Sequence, residues 1–142
     1  MLTFANPAAY IFRNVDQRTY LRNRLGAYSA AMESIHELPE NSRVLMLWEP
    51  RGYYCQPVCD PDEIIDKWPS DSRKYADSPT ITRAWKAQGY THLLIYNTGK
   101  EFVRTEDPQG SFINWTLLDA TLRNLRIEKQ IEGGSYTLYK LP

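Results

Sequence analysis

Hydrophobic positions along the chain follow two patterns. Leu21, Leu25, Tyr28, Met32, Ile35 and Leu38 recur at spacings of three and four, which puts them on one face of a long helix. Asp16 is placed to cap its start, and Pro39 helps to end it. Arg43 to Trp48 is instead a short, nearly continuous apolar run, the signature of a strand buried on both faces. His92 to Tyr96 reads as a second strand of the same kind. Between them, Ser78-Pro79 predicts a helix start with Ser78 as cap and proline at the first helical position. Gly89 closes that helix after Ile81, Ala84 and Trp85. Trp115, Leu118, Leu122 and Leu125 form another helical stripe. The chain then runs through residues 127–132, Gly133-Gly134 and residues 135–141, a hairpin with a Gly-Gly turn.

This order predicts an α/β fold: a small sheet with a parallel strand pair and a C-terminal β-hairpin at one edge, packed by helices in a Rossmann-like layered architecture. The Val44 and Leu93 strands form the parallel pair, joined by a right-handed crossover through the Ser78 helix. A chain of 142 residues, 42% hydrophobic and 24% charged, has room for one domain with a real core. Residues 49–77 hold four Pro, two Cys and four aromatics and form the one long irregular region. Such regions in compact domains are more often functional than not.

Composition narrows the partners. Lysine plus arginine and aspartate plus glutamate both count 17, so no charge excess marks a nucleic-acid surface, and no nucleic-acid partner is expected. The longest apolar runs fall far short of the ~20 residues of a membrane-spanning helix. Met1 to Tyr10 lacks the basic and apolar regions of a signal peptide.

Candidate chemistry is sparse. Asp60-Pro61-Asp62-Glu63 has the spacing that some nucleotide-sugar transferases use for a divalent cation. It also fits a helix start with Asp60 as cap, Pro61 as first helical residue and Glu63 as the reciprocal partner, and this is the reading adopted. Cys55 and Cys59 are the only cysteines and do not form a Cys-x-x-Cys motif. Two thiols do not complete a zinc site, with His36 in a helix and His92 at the base of a strand. A local disulfide and a pair of free thiols both remain open. There is no nucleophile elbow and no phosphate-binding glycine loop, and Thr98 reads as the cap of a short helix through Val103. Asn114-Trp115-Thr116 matches a glycosylation sequon but reads as lying inside a helix. Tyr28, Trp85 and Trp115 are core residues by their place on the stripes. No catalytic residue, metal or cofactor is expected.

Ligands of open α/β sheets sit beyond the carboxyl ends of the strands. Trp48 to Tyr54 leaves the first strand there and Tyr96 to Gly99 leaves the second, with Trp68-Pro69-Ser70-Asp71 free to fold over both. The candidate binding set is therefore Trp48, Glu49, Arg51, Tyr53, Trp68, Asp71 and Asn97. Trp48 and Trp68 would offer stacking faces to a sugar ring, and Arg51 a planar fork for a phosphate or carboxylate. Glu49 and Asn97 would bind hydroxyls. The competing reading makes these residues packed anchors, with Arg51 paired to Glu49 or Asp71 and Trp68 plugging the loop.

Several segments carry a resemblance in their order: Leu25-Gly26-Ala27-Tyr28, Leu38-Pro39 to Val44, Leu47-Trp48-Glu49-Pro50-Arg51, Tyr53-Tyr54-Cys55, Asp66-Lys67-Trp68-Pro69, Gly89-Tyr90-Thr91-His92 and Tyr136-Thr137-Leu138-Tyr139. From about Tyr20 onward the chain resembles the soluble C-terminal region of bacterial multi-pass membrane glycosyltransferases. It is similar to dolichyl-phosphate-mannose–protein mannosyltransferases of the GT-C class. The resemblance implies a parent enzyme that transfers sugar from a polyprenyl-phosphate donor, with its catalytic acid between membrane helices outside this chain. It implies residues 1–15 as a linker from the membrane region, residues 16–142 as a single soluble domain, and an extracytoplasmic, membrane-associated location that fits a Cys55–Cys59 disulfide. The expected partners are the transmembrane portion of the same polypeptide and a glycan or acceptor. A stand-alone small-molecule-binding module, or an oligomerising domain using the Leu21 to Leu38 helix, are the alternative classes.

Overall fold

The structure, a computed structural model, describes residues 26–52 and 54–142. The architecture is α/β. Strands β1 (Val44–Leu47), β2 (Cys59–Asp60), β3 (His92–Tyr96), β4 (Arg126–Ile131) and β5 (Tyr136–Lys140) form one mixed sheet in the order β2-β1-β3-β5-β4. The parallel pair is β1 and β3, with Val44 opposite His92 and Leu47 opposite Ile95. The β4–β5 hairpin lies antiparallel along β3 and ends the sheet. β2 adds a third parallel strand outside β1, in a region the sequence leaves irregular.

Alternation along the buried strands divides the core in two. Leu45, Leu47, Leu93, Ile95 and Tyr139 face one side, where they meet α2 (Lys67–Lys74), α3 (Ser78–Ala87) and α5 (Trp115–Arg123) through Trp68, Ile81, Trp85, Trp115 and Leu118. Val44, Met46, Leu94, Tyr136 and Leu138 face the other, covered by Ala27, Tyr28, Ala31, Met32 and Ile35 of α1 (residues 26–36). The helix stripe from Tyr28 to Ile35 is thus the apolar face expected; Leu21, Leu25 and the Asp16 cap lie outside the described residues, as do residues 1–15 and Tyr53. α4 (Asn97–Glu106) follows β3 without an intervening loop.

Local capping departs from the sequence reading at four points. Asp60 caps no helix: it ends β2 and pairs with Arg43 and Tyr90, because the chain stays extended to pair with Leu45. Glu63 is exposed, and the next helix begins only at Lys67, whose N–H, like that of Asp66, goes to the Asp62 carboxylate four and five residues back. Asp77, not Ser78, caps α3, accepting from Thr80 N at 2.9 Å, so Pro79 sits in the first turn one place later than predicted. Thr98 caps nothing, since α4 starts at Asn97 with Tyr96 in the cap position and no side-chain cap bond. Asn114 lies not inside a helix but at the start of α5, where its side chain accepts from Leu117 N.

The loop between α4 and α5 is organised by one carboxylate. Asp107 is buried and accepts the N–H groups of Ser111 (2.8 Å), Phe112 (3.2 Å) and Ile113 (3.0 Å) and the indole N–H of Trp115 (3.2 Å). Burial pushes its pKa up, but the bonds from Ile113, Phe112, Ser111 and Trp115 together outweigh it and hold the carboxyl below its usual range. A carboxylate whose folded pKa is depressed stabilises the fold fully above the unfolded value of about 4, and the contribution is lost as pH falls through the lower folded value. Asp107→Asn is therefore expected to lower the urea midpoint near neutral pH. Its deficit should vanish in strong acid, where wild-type Asp107 is itself neutral. A deficit independent of pH would show that the charge is not what holds the loop.

Candidate functional site

Because β1 and β3 end side by side, residues 48–52 and 97–99 emerge at the same edge of the sheet. The first is forced to turn at once. Trp48 has φ of 62°, a left-handed conformation costly for a bulky residue, and its N–H goes to Asp62 Oδ2 at 2.9 Å while Glu49 O accepts from Asp62 N at 3.0 Å. Burial raises the Asp62 pKa, and the N–H bonds of Trp48, Lys67 and Asp66 offset only part of that. This single side chain pins the exit of β1 to the start of α2.

The turn buries Glu49 completely. Its Oε1 accepts from the backbone N–H and Nε of Arg51, both at 2.9 Å, and its Oε2 accepts from Arg51 Nη2 at 2.9 Å and from the Tyr136 hydroxyl at 2.5 Å. The Arg51 guanidinium lies 4.3 Å over the Tyr28 ring, whose hydroxyl donates back to Arg51 O at 3.1 Å. Tyr96 stacks on Tyr136 at 4.8 Å. The hydrogen bond to Glu49 raises the pKa of Arg51 against the effect of burial, and burial followed by the Glu49 bond raises that of Tyr136. Both shifts favour the charged Arg51 and the neutral Tyr136 hydroxyl. A third of the Arg51 side chain, 34%, remains exposed.

Four of the candidate residues, Trp48, Glu49, Arg51 and Asn97, gather at this edge, and two do not. Asp71 lies in α2, where it accepts from the Trp85 indole N–H at 2.7 Å and pairs with Lys67, so the partner of Arg51 is Glu49. Trp68 is wholly buried, edge-on to Trp85 at 6.3 Å, with its N–H on Asn114 O. Trp48 is 2% exposed and stacked on Trp115 at 5.9 Å. The expectation of two open stacking faces is therefore corrected: both indoles are core, because the carboxyl edge is roofed by α2 and α5. Among the described residues the Trp48 indole N–H is the buried side-chain donor left without a partner. Asn97 is turned inward as well, its Nδ2 donating to Gly134 O and Thr137 Oγ1 at 2.9 and 2.8 Å, which ties α4 to the hairpin turn.

Cys55 and Cys59 are joined in a disulfide, of the two states left open by their spacing. It closes the turn between the Arg51 segment and β2, over Gly52, whose carbonyl accepts from Cys55 N and Gln56 N. A Cβ at Gly52 would meet the Pro61 ring at 2.8 Å, so only glycine fits this approach. His36 contacts Tyr54 O at 3.0 Å, and the buried His92 ring meets Thr91 Oγ1 at 2.8 Å with its pKa lowered by burial. No group of three or more His, Cys, Asp or Glu side chains comes together among the described residues.

The site thus contains a rigid ion pair enclosed by tyrosines, with one cationic edge at the surface. Sequence reasoning missed Tyr28, Tyr96 and Tyr136 as its walls. Tyr136 lies 87 residues from Glu49, and its place on the inward face of β5 is the only signal that could have found it. No family model, curated protein or solved structure is found to match the chain.

Two consequences are measurable. Arg51→Ala strands a buried carboxylate, so it is expected to destabilise the fold by about 3 kcal/mol, the lower end for a broken buried pair because one edge of the guanidinium is solvated. Chemical denaturation reads this directly, and an unchanged midpoint would mean that Glu49 is satisfied without Arg51. Reduction of Cys55–Cys59 should cost about 2 kcal/mol from the entropy of so short a loop. Matched melts with and without reductant, with thiol counting by mass spectrometry, test it; equal melting temperatures would sink it.

Proposed function

We propose that the chain is an accessory, extracytoplasmic domain of a polyprenyl-phosphate-sugar-dependent membrane glycosyltransferase. It transfers no sugar by itself, and it braces the membrane part of the same polypeptide or helps seat the acceptor. The Cys55–Cys59 disulfide carries the reading, because such bonds persist in oxidising compartments and are rare in the cytosol. Its first cysteine ends the segment, Leu47 to Cys55, on which much of the resemblance rests. Asp62 further joins that segment to the Lys67-Trp68-Pro69 stretch of the same resemblance. No helix among the described residues is long and apolar enough to cross a membrane. The Glu49–Arg51 pair supports a bracing role, since its atoms are committed to each other rather than to turnover.

An antibody against the chain tests the proposal in native cells. The antigen is expected in the membrane fraction, on a polypeptide far larger than 142 residues, and cleaved by protease added outside spheroplasts. An antigen confined to the cytosol at the mass of the chain alone overturns it. The purified chain, mixed with polyprenyl-phosphate sugars and acceptors, should yield no product above a blank; turnover would overturn the accessory role.

A further inference from the structure

A concavity lies away from the Glu49–Arg51 edge, between the end of α2, the 107–114 loop and the start of α5. It is an open groove of about 510 Å³. Phe112 stands beside it with 83% of its surface exposed, although its own backbone N–H is fixed on the buried Asp107. An exposed ring on a pinned loop contributes nothing to the core, and rigid placement is what a binding contact requires. In the rest of the lining Pro108 is exposed, Ile113 and Trp115 are almost wholly buried at 9% and 5% exposed, and the other residues are polar or glycine. Asn114 uses Oδ1 to cap α5, which leaves its Nδ2 as a donor, and Gln109 and Thr116 are exposed beside it.

The charged side chains of the groove are both arginines. Arg104 is held by two parallel bonds to Asp119, at 3.1 and 3.0 Å, and lies 5.2 Å over the Trp115 ring. Arg73 has no ion-pair partner among the described residues. The groove thus combines one exposed aromatic ring, several uncharged hydrogen-bonding groups and a guanidinium without an ion-pair partner among the described residues. A sugar ring matches that set, since it carries an apolar C–H face and a polar edge, and an acidic substituent would meet Arg73. A nucleobase would want a second exposed aromatic face, and a lipid chain an exposed apolar floor; Trp115 and Ile113, 5% and 9% exposed, supply neither.

We propose that this groove is a binding site for an acidic saccharide, with Phe112 under the ring, Asn114, Gln109 and Thr116 on its hydroxyls and Arg73 on its carboxylate. The inference goes beyond the accessory role and is tested on the chain alone, so cellular location does not bear on it. The probes are digalacturonic acid, neutral galactobiose, inorganic phosphate and AMP, titrated into the isotope-labelled chain and followed by NMR. Digalacturonic acid is expected to give saturable shifts centred on residues 109–116, with galactobiose several-fold weaker. Phe112→Ala should weaken binding roughly tenfold, the scale of a lost ring contact, without moving the unfolding midpoint. Arg73→Gln should abolish the preference for the acidic sugar while sparing the neutral one. Absence of saturable shifts at millimolar sugar overturns the proposal. So does reproduction of the shifts by phosphate alone, which would mark a simple anion site, or tighter binding of AMP.

Discussion

Glu49 is a carboxylate with no solvent, and leaving such a group unpaired costs several kcal/mol. The surroundings of Glu49 follow from that constraint. Its four donors come from two places far apart in sequence, the Arg51 turn and Tyr136 on β5, so the set is complete only when the hairpin has docked beside β3. Arg51 in turn lies over Tyr28 of α1, on the same face of the sheet. Turn, hairpin and helix are therefore mutually dependent through one charge. The pair adds little net stability over apolar residues of the same shape, but it penalises every arrangement in which one of the three is missing.

The same device recurs at lower stakes. Asp62 gathers the N–H groups of Trp48, Asp66 and Lys67, and Asp107 gathers those of Ser111, Phe112 and Ile113. In each case the backbone lacks a helix or strand to satisfy it, and a buried acidic side chain accepts the hydrogen bonds instead. Irregular segments are held as firmly as regular ones, without an apolar core of their own. Asp71 uses a buried carboxylate differently, joining α2 to α3 through the indole N–H of Trp85.

What the sequence made legible follows from this division. β1 and β3 were readable because burial on both faces leaves an unbroken apolar run, and the hairpin because Gly133-Gly134 sits between two strand segments. α2 was not, since Lys-Trp-Pro-Ser-Asp-Ser-Arg-Lys buries only Trp68 and Asp71 and shows no stripe. Asp60 failed for a different reason. Asp-Pro-Asp-Glu satisfies the local grammar of a helix cap, but the Arg43 and Tyr90 contacts are long-range and prevail. At the candidate site the Glu49–Arg51 alternative was visible because its members are two residues apart. That Trp48 and Trp68 are closed off was not, because exposure depends on which helix roofs the sheet edge.

The Glu49–Arg51 edge and the groove at the Asp107 loop differ in where their polar groups are directed. Around Glu49, Arg51 donates its Nε and Nη2 to the carboxylate, and Asn97 turns its amide nitrogen into the hairpin. A ligand there competes with contacts on which α1 and β5 depend, so tight binding and stability oppose each other. Around Asp107 the inward bonds are made by the N–H groups of Ser111, Phe112 and Ile113 and the indole of Trp115; Ile113 and Trp115 are buried, while the side chains of Ser111 and Phe112 are exposed. Phe112 illustrates the separation: its amide is fixed at 3.2 Å on a buried oxygen while its ring is 83% exposed. Substituting outward side chains on a loop pinned from within leaves the fold intact, so recognition can vary there without a penalty in stability. The carboxyl edge of the parallel strands, where α/β sheets ordinarily bind, has here become a structural lock, and the face free to contact other molecules has moved to the next loop along the chain.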